Sequence, residues 1–215
     1  TGTEVGKTHV SAALVGRLRS LGREVAALKP VETGVAEGEV GADAARLAQS
    51  SGFHVKHPCY AFEPPISPHL AARRIGCRIE LSEVSRWVAA HRAPYQLVET
   101  AGGLLSPLSE STTNLDLTVQ LDPDALVLVA ANRVGVLHDV SVCLRVLRLE
   151  HPQLVERTAV ALSHTPDPDP SATSNGEELR RLGIAERVVE FPCEPVDHED
   201  SASAARELLA HLGLE

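Results

Sequence analysis

Thr1-Gly2-Thr3-Glu4-Val5-Gly6-Lys7-Thr8 opens the chain, and its reading decides the fold. The second half, Gly6-Lys7-Thr8, has the form of the end of a phosphate-binding loop. A glycine there lets the backbone turn and bring its N–H groups to phosphate oxygens, the lysine supplies charge to the terminal phosphates, and the threonine offers a hydroxyl to magnesium. The helix that must follow adds the partial positive charge of its N-terminus to the same anion. The usual pattern sets four residues between its two glycines and follows a strand. Here only Thr3, Glu4 and Val5 separate Gly2 from Gly6, and the chain contains no methionine. We therefore expect the chain to begin inside the loop, with a first strand ending in glycine upstream of Thr1. A degenerate loop, or a chance Gly-Lys-Thr in a surface turn, competes with this reading. The helical pattern that starts at once favours the loop.

From Lys7 to Leu21 apolar residues recur at helical spacing (Val10, Leu14, Val15, Leu18), and Gly22 is placed to end the helix. Glu24 to Leu28 reads as a short buried strand stopped by Lys29-Pro30. Residues 34–42 read as a loop, with a helix from about Asp43. Residues 57–68, rich in proline, also read as a loop, and Ser82 as the N-cap of a helix through His91. Gln96-Leu97-Val98 is a strand running into Glu99-Thr100-Ala101-Gly102-Gly103. The apolar run Ala125 to Ala131 suits the centre of a parallel sheet. A helix from Asp139 to Leu149, a strand Thr158–Leu162, a loop from Pro166 to Ser174, a helix near 177–182, a strand Arg187–Phe191 and a helix Ala202–Leu212 complete the pattern. Strand–helix alternation without a repeat or linker predicts one α/β domain over 1–215, a doubly wound, mostly parallel sheet with helices on both faces. Ligands in such sheets gather at the carboxyl ends of the strands.

Composition narrows the function. A chain of 215 residues is long enough for a full core, and 43% hydrophobic with 23% charged residues is ordinary for a globular protein. A net charge of −9 argues against nucleic acid or an anionic membrane as the main partner. No apolar run approaches the ~20 residues of a membrane span, and no signal peptide is visible. The four cysteines lie far apart without a CxxC, so free thiols in a reducing cytoplasm are expected. The scattered histidines form no zinc pattern.

The rule of strand ends selects the candidate site. It collects the phosphate loop, Lys29-Pro30-Val31-Glu32-Thr33-Gly34, Glu99 to Gly103, and Ala131-Asn132-Arg133-Val134-Gly135. A lysine closing a buried strand is unusual, because lysine is rarely buried unless paired. It reads either as a second cation facing a triphosphate or as a solvated strand-end lysine. Glu99, after a strand and before two glycines, can hold Mg²⁺ directly or through water, or can cap a helix.

Together these segments resemble the dethiobiotin synthetase family, ATP-dependent carboxylases of the phosphate-loop NTPase fold. That family's loop, roughly Gly-Thr-x-Thr-x-Val-Gly-Lys-Thr, matches Thr1 to Thr8 from its second position. Its Lys-Pro-Val/Ile-x-Ser/Thr-Gly motif matches Lys29 to Gly34, its Asp-Ala matches Asp43-Ala44, and its Ser-Pro-His matches Ser67-Pro68-His69. Glu99 to Gly103 matches Glu-Gly-Ala-Gly-Gly, with Leu104 to Leu108 following in order. The resemblance implies that one amine of 7,8-diaminopelargonate takes up CO₂ as a carbamate. The carbamate is phosphorylated by ATP, and the second amine closes the ring to dethiobiotin. Lys7, Lys29 and Thr3 would be catalytic, and Glu4, Val5, Gly6, Lys7, Thr8, Ser163 and Glu194 would bind the nucleotide. Thr33, Gly102, Gly135, Val136, Leu137 and His138 would bind substrate, and Thr8, Asp43 and Glu99 would hold Mg²⁺. A cytoplasmic homodimer is implied as well, with the segment after Gly135 facing the neighbour.

The chain departs from the family in three places. Thr100 stands for the first glycine of the acid motif. His138 stands where the family has asparagine in the segment that receives the substrate carboxylate. Ser163-His164 stands for the base-reading Asn-Asp, which leaves adenine recognition relaxed or resting on backbone groups. The alternatives are a related amidoligase of the cobyrinate type, a synthetase for another diamine, a nucleotide-switch ATPase that positions partner proteins, and an inactive binding module. The switch class normally carries an extra lysine early in the loop, and none lies between Thr1 and Gly6. The set Lys7, Thr8, Lys29, Asp43 and Glu99 speaks against an inactive module.

Overall fold

In a computed structural model describing residues 1–55 and 57–215, the elements run in chain order as follows. They are α1 (Lys7–Ser20), β1 (Val25–Leu28), β2 (Val31–Thr33), α2 (Ala42–Ser51), β3 (Tyr60–Phe62), α3 (Pro68–Arg74), α4 (Leu81–Ala90), β4 (Tyr95–Val98) and α5 (Asn114–Leu121). After these come β5 (Leu126–Ala131), α6 (Val136–Glu150), α7 (Pro152–Val155), β6 (Thr158–Ser163), a 3₁₀ turn (Pro170–Thr173), α8 (Asn175–Arg181), β7 (Val188–Phe191) and α9 (Glu199–His211). The strand ladders among the described residues are parallel, and helices form their crossovers. This is the α/β doubly wound class that the alternation predicts.

Contacts divide the chain into two compact units, Thr1–Arg17 with Pro123–Glu215, and Leu18–Asp122. In the first, β5, β6 and β7 pair in that order, with Leu126 opposite Thr158 and Val160 opposite Val188. Every residue of β6 is buried, as a central strand of a parallel sheet requires. The inward stripe of α6 is Val136, Val140, Cys143, Leu144 and Leu147, and that of α9 includes Ala204, Ala205, Leu208 and Leu209.

In the second unit β1 pairs with β4 in register Leu28 to Val98, and β2 pairs with β3 in register Val31 to Tyr60. Their core joins Leu28, Val31, Phe62, Ile79, Val84, Leu108 and Leu117. At about 25 cal/mol per Å², burying each such side chain stabilises the fold by roughly 1.5–3 kcal/mol before entropy is set against it.

Several expectations change here. Lys29-Pro30 ends β1 at Leu28 as expected, but a second ladder starts at once: the Pro30 carbonyl accepts from the Tyr60 N–H at 2.9 Å, and β2 from Val31 pairs with β3 rather than β4. The proline-rich stretch 57–68 therefore contains a strand, β3. Ser82 is not the N-cap of α4. The helix starts two residues earlier, with Glu80 extended at the cap position and its N–H donated to the Tyr60 hydroxyl. The helix expected from Asp139 begins at Val136, because Gly135 in a left-handed conformation (φ 96°) starts the turn. The turns of α3 and α5 were not anticipated.

Candidate active site

The phosphate loop lies in the first unit and works through its backbone. Gly6 has φ 87°, and a Cβ there would stand 2.1 Å from the Ser163 hydroxyl oxygen, so only glycine fits on both counts. Glu4 holds φ 56°, an uncommon conformation for a residue with a side chain and one that clusters at ligand clamps. Lys7 Nζ folds back and donates to the Gly2 carbonyl at 2.5 Å. The first turn of α1 carries no acidic residue, which leaves its N-terminal field positive. His9 anchors this turn: its Nε2 lies 3.0 Å from the Pro192 carbonyl oxygen and its ring meets Phe191 edge-on. Thr3 and Glu4 are exposed, Val5 is buried, and Thr8 sits in the first turn of the helix.

The second unit carries a lysine–carboxylate cluster. Lys29, at the end of β1, places Nζ 2.7 Å from Glu99 Oε1 and 2.8 Å from Asp43 Oδ2, with the Thr100 carbonyl at 3.4 Å. The Lys29 and Glu99 side chains are 3% and 2% exposed, and that of Asp43 41%. A solvated strand-end lysine is thereby ruled out. Burial by itself would lower the Lys29 pKa, but the charges of Glu99 and Asp43 and their hydrogen bonds outweigh it and hold it above the ordinary lysine value. The ammonium is therefore a fixed charge near neutral pH rather than a proton acceptor.

The elements explain the meeting. β1 and β4 pair in parallel, so Leu28 and Val98 are partners and the residues after them emerge side by side. The Glu99 N–H continues the ladder onto the Leu28 carbonyl at 2.9 Å. Asp43 arrives from the first turn of α2. Two residues that the sequence did not single out hold the surrounding loops. Glu32 accepts the backbone N–H groups of Asp43 and Ala44, and burial pushes its carboxyl pKa up. Asn114, fully buried at the start of α5, donates to the carbonyls of Ala101 and Gly103 at 2.7 and 2.8 Å and so fixes the turn in which Gly102 has φ 81°. The pattern Thr113-x-x-Asp116, a capping box in the structure, was the local signal that could have located α5.

The remaining expected site residues stand on other elements. Thr33 ends β2, half-buried. Ser163 is buried beneath Gly6, at the end of β6. His164 Nε2 lies 3.1 Å from Asn132 Nδ2 and 3.2 Å from Glu190 Oε2. Glu194 is half-buried and its carbonyl accepts from the Ser201 hydroxyl. Of the segment after β5, Gly135 and His138 are exposed and Leu137 is half-buried. Val136 is buried and donates its N–H to the Arg133 carbonyl at 3.1 Å.

Each unit by itself carries oxygen groups of the kind a hard cation takes: the Thr8 hydroxyl in the first, and Asp43 and Glu99 in the second. The described residues contain no group of three or more His, Cys, Asp or Glu that could hold a metal by themselves. Magnesium does not need one, since it binds through one or two carboxylates together with water and substrate phosphates. The cluster's charges, one lysine against two carboxylates, leave an excess negative charge that a hard divalent cation complements. No helix among the described residues is long and apolar enough to cross a membrane.

A family model described as an AAA domain matches residues 1–198. The chain is 37% identical over 219 residues to the ATP-dependent dethiobiotin synthetase BioD of Anaeromyxobacter sp. (strain K), covering 99% of this chain and 94% of that protein. It is 37% identical over 214 residues to BioD of Anaeromyxobacter dehalogenans (strain 2CP-C), covering 97% and 92%. With BioD of Caulobacter sp. (strain K31) the identity is 37% over 185 residues, covering 81% and 78%. On the phosphate loop, the strand-end acids and these matches along nearly its whole length, the chain belongs to the dethiobiotin synthetase family.

Proposed function

We propose that this protein is an ATP- and magnesium-dependent cyclo-ligase that converts 7,8-diaminopelargonate and CO₂ to dethiobiotin, with release of ADP and phosphate. The observation that carries this reading is the buried Lys29 held between Glu99 and Asp43. A reaction that brings a carbamate to a triphosphate must bring negative charges together, and a permanently charged lysine suits that need.

In this reading an amine lone pair of the substrate attacks CO₂, and the nitrogen loses a proton as the carbamate forms. A carbamate oxygen then attacks the γ-phosphorus while the bond to ADP breaks. The second amine attacks the carbamate carbon, the carbon–oxygen bond breaks, and phosphate leaves as the ring closes. Phosphoryl transfer of this kind depends on positioning and charge neutralisation. The backbone from Glu4 to Gly6, with Lys7, would cradle the phosphates. Lys29 would stabilise the carbamate, and Thr33 would hydrogen-bond carbamate or diamine. Thr3 would shape the loop, while Gly102, Gly135, Leu137 and His138 would line the diamine. Ser163 would act on the nucleotide by setting the shape of Gly6, and Glu194 would touch it directly. Magnesium, held by Thr8, Asp43 and Glu99, would neutralise phosphate charge when bound. A cytoplasmic homodimer completes the proposal, resting on the family.

The test incubates the protein with diaminopelargonate, bicarbonate, Mg²⁺ and ATP, and follows phosphate together with product mass. Phosphate release that requires the diamine, with a product that has gained one carbonyl and lost two hydrogens, is expected. ATP hydrolysis indifferent to the diamine would overturn the proposal.

A further inference from the structure

Helix α2 begins without a side-chain cap of its own. Its N-cap residue is Gly41, and the orphan N–H groups of the first turn are instead taken by a side chain from a strand. Glu32, in the middle of β2 and 6% exposed, accepts the Asp43 N–H through Oε1 at 2.8 Å and the Ala44 N–H through Oε2 at 3.2 Å. A carboxylate placed there also meets the positive end of the helix. Space for it exists only because residue 41 is glycine: a Cβ would stand 2.2 Å from both Glu32 Cδ and Oε2 and 2.4 Å from Oε1. The conformation of Gly41 (φ −60°, ψ 150°) is one that any residue adopts, so the requirement for glycine is one of room, not of backbone.

What this contact places is Asp43. Its backbone is tied to Glu32 while its side chain reaches Lys29 at 2.8 Å. Lys29 and Glu32 stand on neighbouring stretches of one chain segment, so that segment carries both the lysine and the clamp on the lysine's partner.

We propose that Glu32 is a positioning residue of the reaction, acting through the first turn of α2 to hold Asp43 against Lys29. The inference rests on the ligase reading for its kinetic consequence but not for its structural one. Without the carboxylate the first turn of α2 loosens, and Asp43 no longer fixes the lysine or its share of a magnesium ion. Outer contacts of this kind typically change activity by roughly 10–100-fold. Glu32→Ala is therefore expected to lower kcat about tenfold or more while leaving the KM for ATP within a factor of about two. Glu32→Gln, which keeps one acceptor for the two N–H groups, falls between wild type and Glu32→Ala.

Two cycles and one measurement on the unliganded protein decide the matter. Gly41→Ala should lower kcat in the wild-type background and add nothing in Glu32→Ala, where the obstructed carboxyl is gone. Glu32→Ala should add little in an Asp43→Asn background. Hydrogen exchange at Asp43 and Ala44 should accelerate at least tenfold in Glu32→Ala, with exchange in α4 unchanged. A harmless Gly41→Ala, full additivity with Asp43→Asn, or unchanged exchange would each overturn the proposal. If the wild-type protein shows no diamine-dependent phosphate release, the ligase reading falls, and the exchange measurement still decides whether Glu32 holds the helix.

Discussion

The phosphate loop and the lysine–carboxylate cluster manage charge by opposite means. In the loop the main parts are backbone groups: Gly6 at φ 87°, a helix N-terminus free of acids in its first turn, and a lysine folded onto the Gly2 carbonyl. Thr3 and Glu4 are exposed. In the cluster the parts are side chains, and Lys29 and Glu99 are almost wholly withdrawn from water. The first arrangement is built of backbone groups with exposed residues in the loop and suits an anion that comes and goes. The second holds its lysine between two carboxylates and suits a charge that must stay in one place. Removing a lysine should therefore have different consequences in the two places.

The largest contrast concerns stability. Lys29→Ala leaves the buried Glu99 carboxylate without the ammonium beside it, and breaking a buried pair in this way typically costs about 3–5 kcal/mol. Denaturant unfolding should show that loss, whereas Lys7→Ala should leave the unfolding midpoint within about 0.5 kcal/mol of wild type. Equal effects of the two substitutions would break the comparison.

Next comes Gly6→Ala. A left-handed conformation for alanine costs roughly 1–2 kcal/mol, and the new Cβ also collides with Ser163. Nucleotide binding measured by calorimetry should weaken at least tenfold, because the loop cannot keep its shape. Wild-type affinity in Gly6→Ala would show that the loop's backbone is not the phosphate cradle.

Ionic strength gives a smaller effect and sharpens the contrast. Exposed charges are screened over a Debye length of about 8 Å at physiological salt, while buried pairs are screened much less. Raising salt from 50 to about 500 mM should raise the apparent Kd for ATP severalfold, yet leave the stability difference between wild type and Lys29→Ala unchanged. A stability difference that collapses in salt would mean that the Lys29–Glu99 pair is wetter than its 2–3% exposure implies.

The smallest effect concerns the cysteines. Burial, with Glu83 nearby, pushes the Cys59 thiol up to about 11, whereas Cys193 after β7 is exposed. Because the thiolate is the reactive form, alkylation at pH 8 followed by peptide mass mapping should label Cys193 well before Cys59.

The contrast also explains what was legible in the sequence. A backbone-built site is local, so Gly6-Lys7-Thr8 and the helix behind it could be read from adjacent residues. β1, β4, β5, β6 and β7 were legible for the same reason: each is a short apolar run between breakers. The cluster could only be listed as strand-end candidates, since its pairing spans residues 29 and 99 and depends on the parallel register of β1 with β4. Glu32 was invisible because it caps a helix that starts several residues after its own strand. β2 and β3 are not legible because a proline stops a strand in local logic, as it does β1, while here the Pro30 carbonyl opens a second ladder with β3. Serine is a good cap by propensity, which points to Ser82, yet the helix is capped at Glu80, whose N–H donates to the Tyr60 hydroxyl.

The most direct test of the central claim measures nucleotide binding and turnover side by side in Lys29→Ala, with the folded fraction established first. If Lys29 serves the carbamate, the variant binds ATP with nearly wild-type Kd while diamine-dependent phosphate release falls by orders of magnitude. If binding and turnover fall together by the same factor, Lys29 is a phosphate anchor, the role proposed for Lys7, and the division between the two regions is wrong.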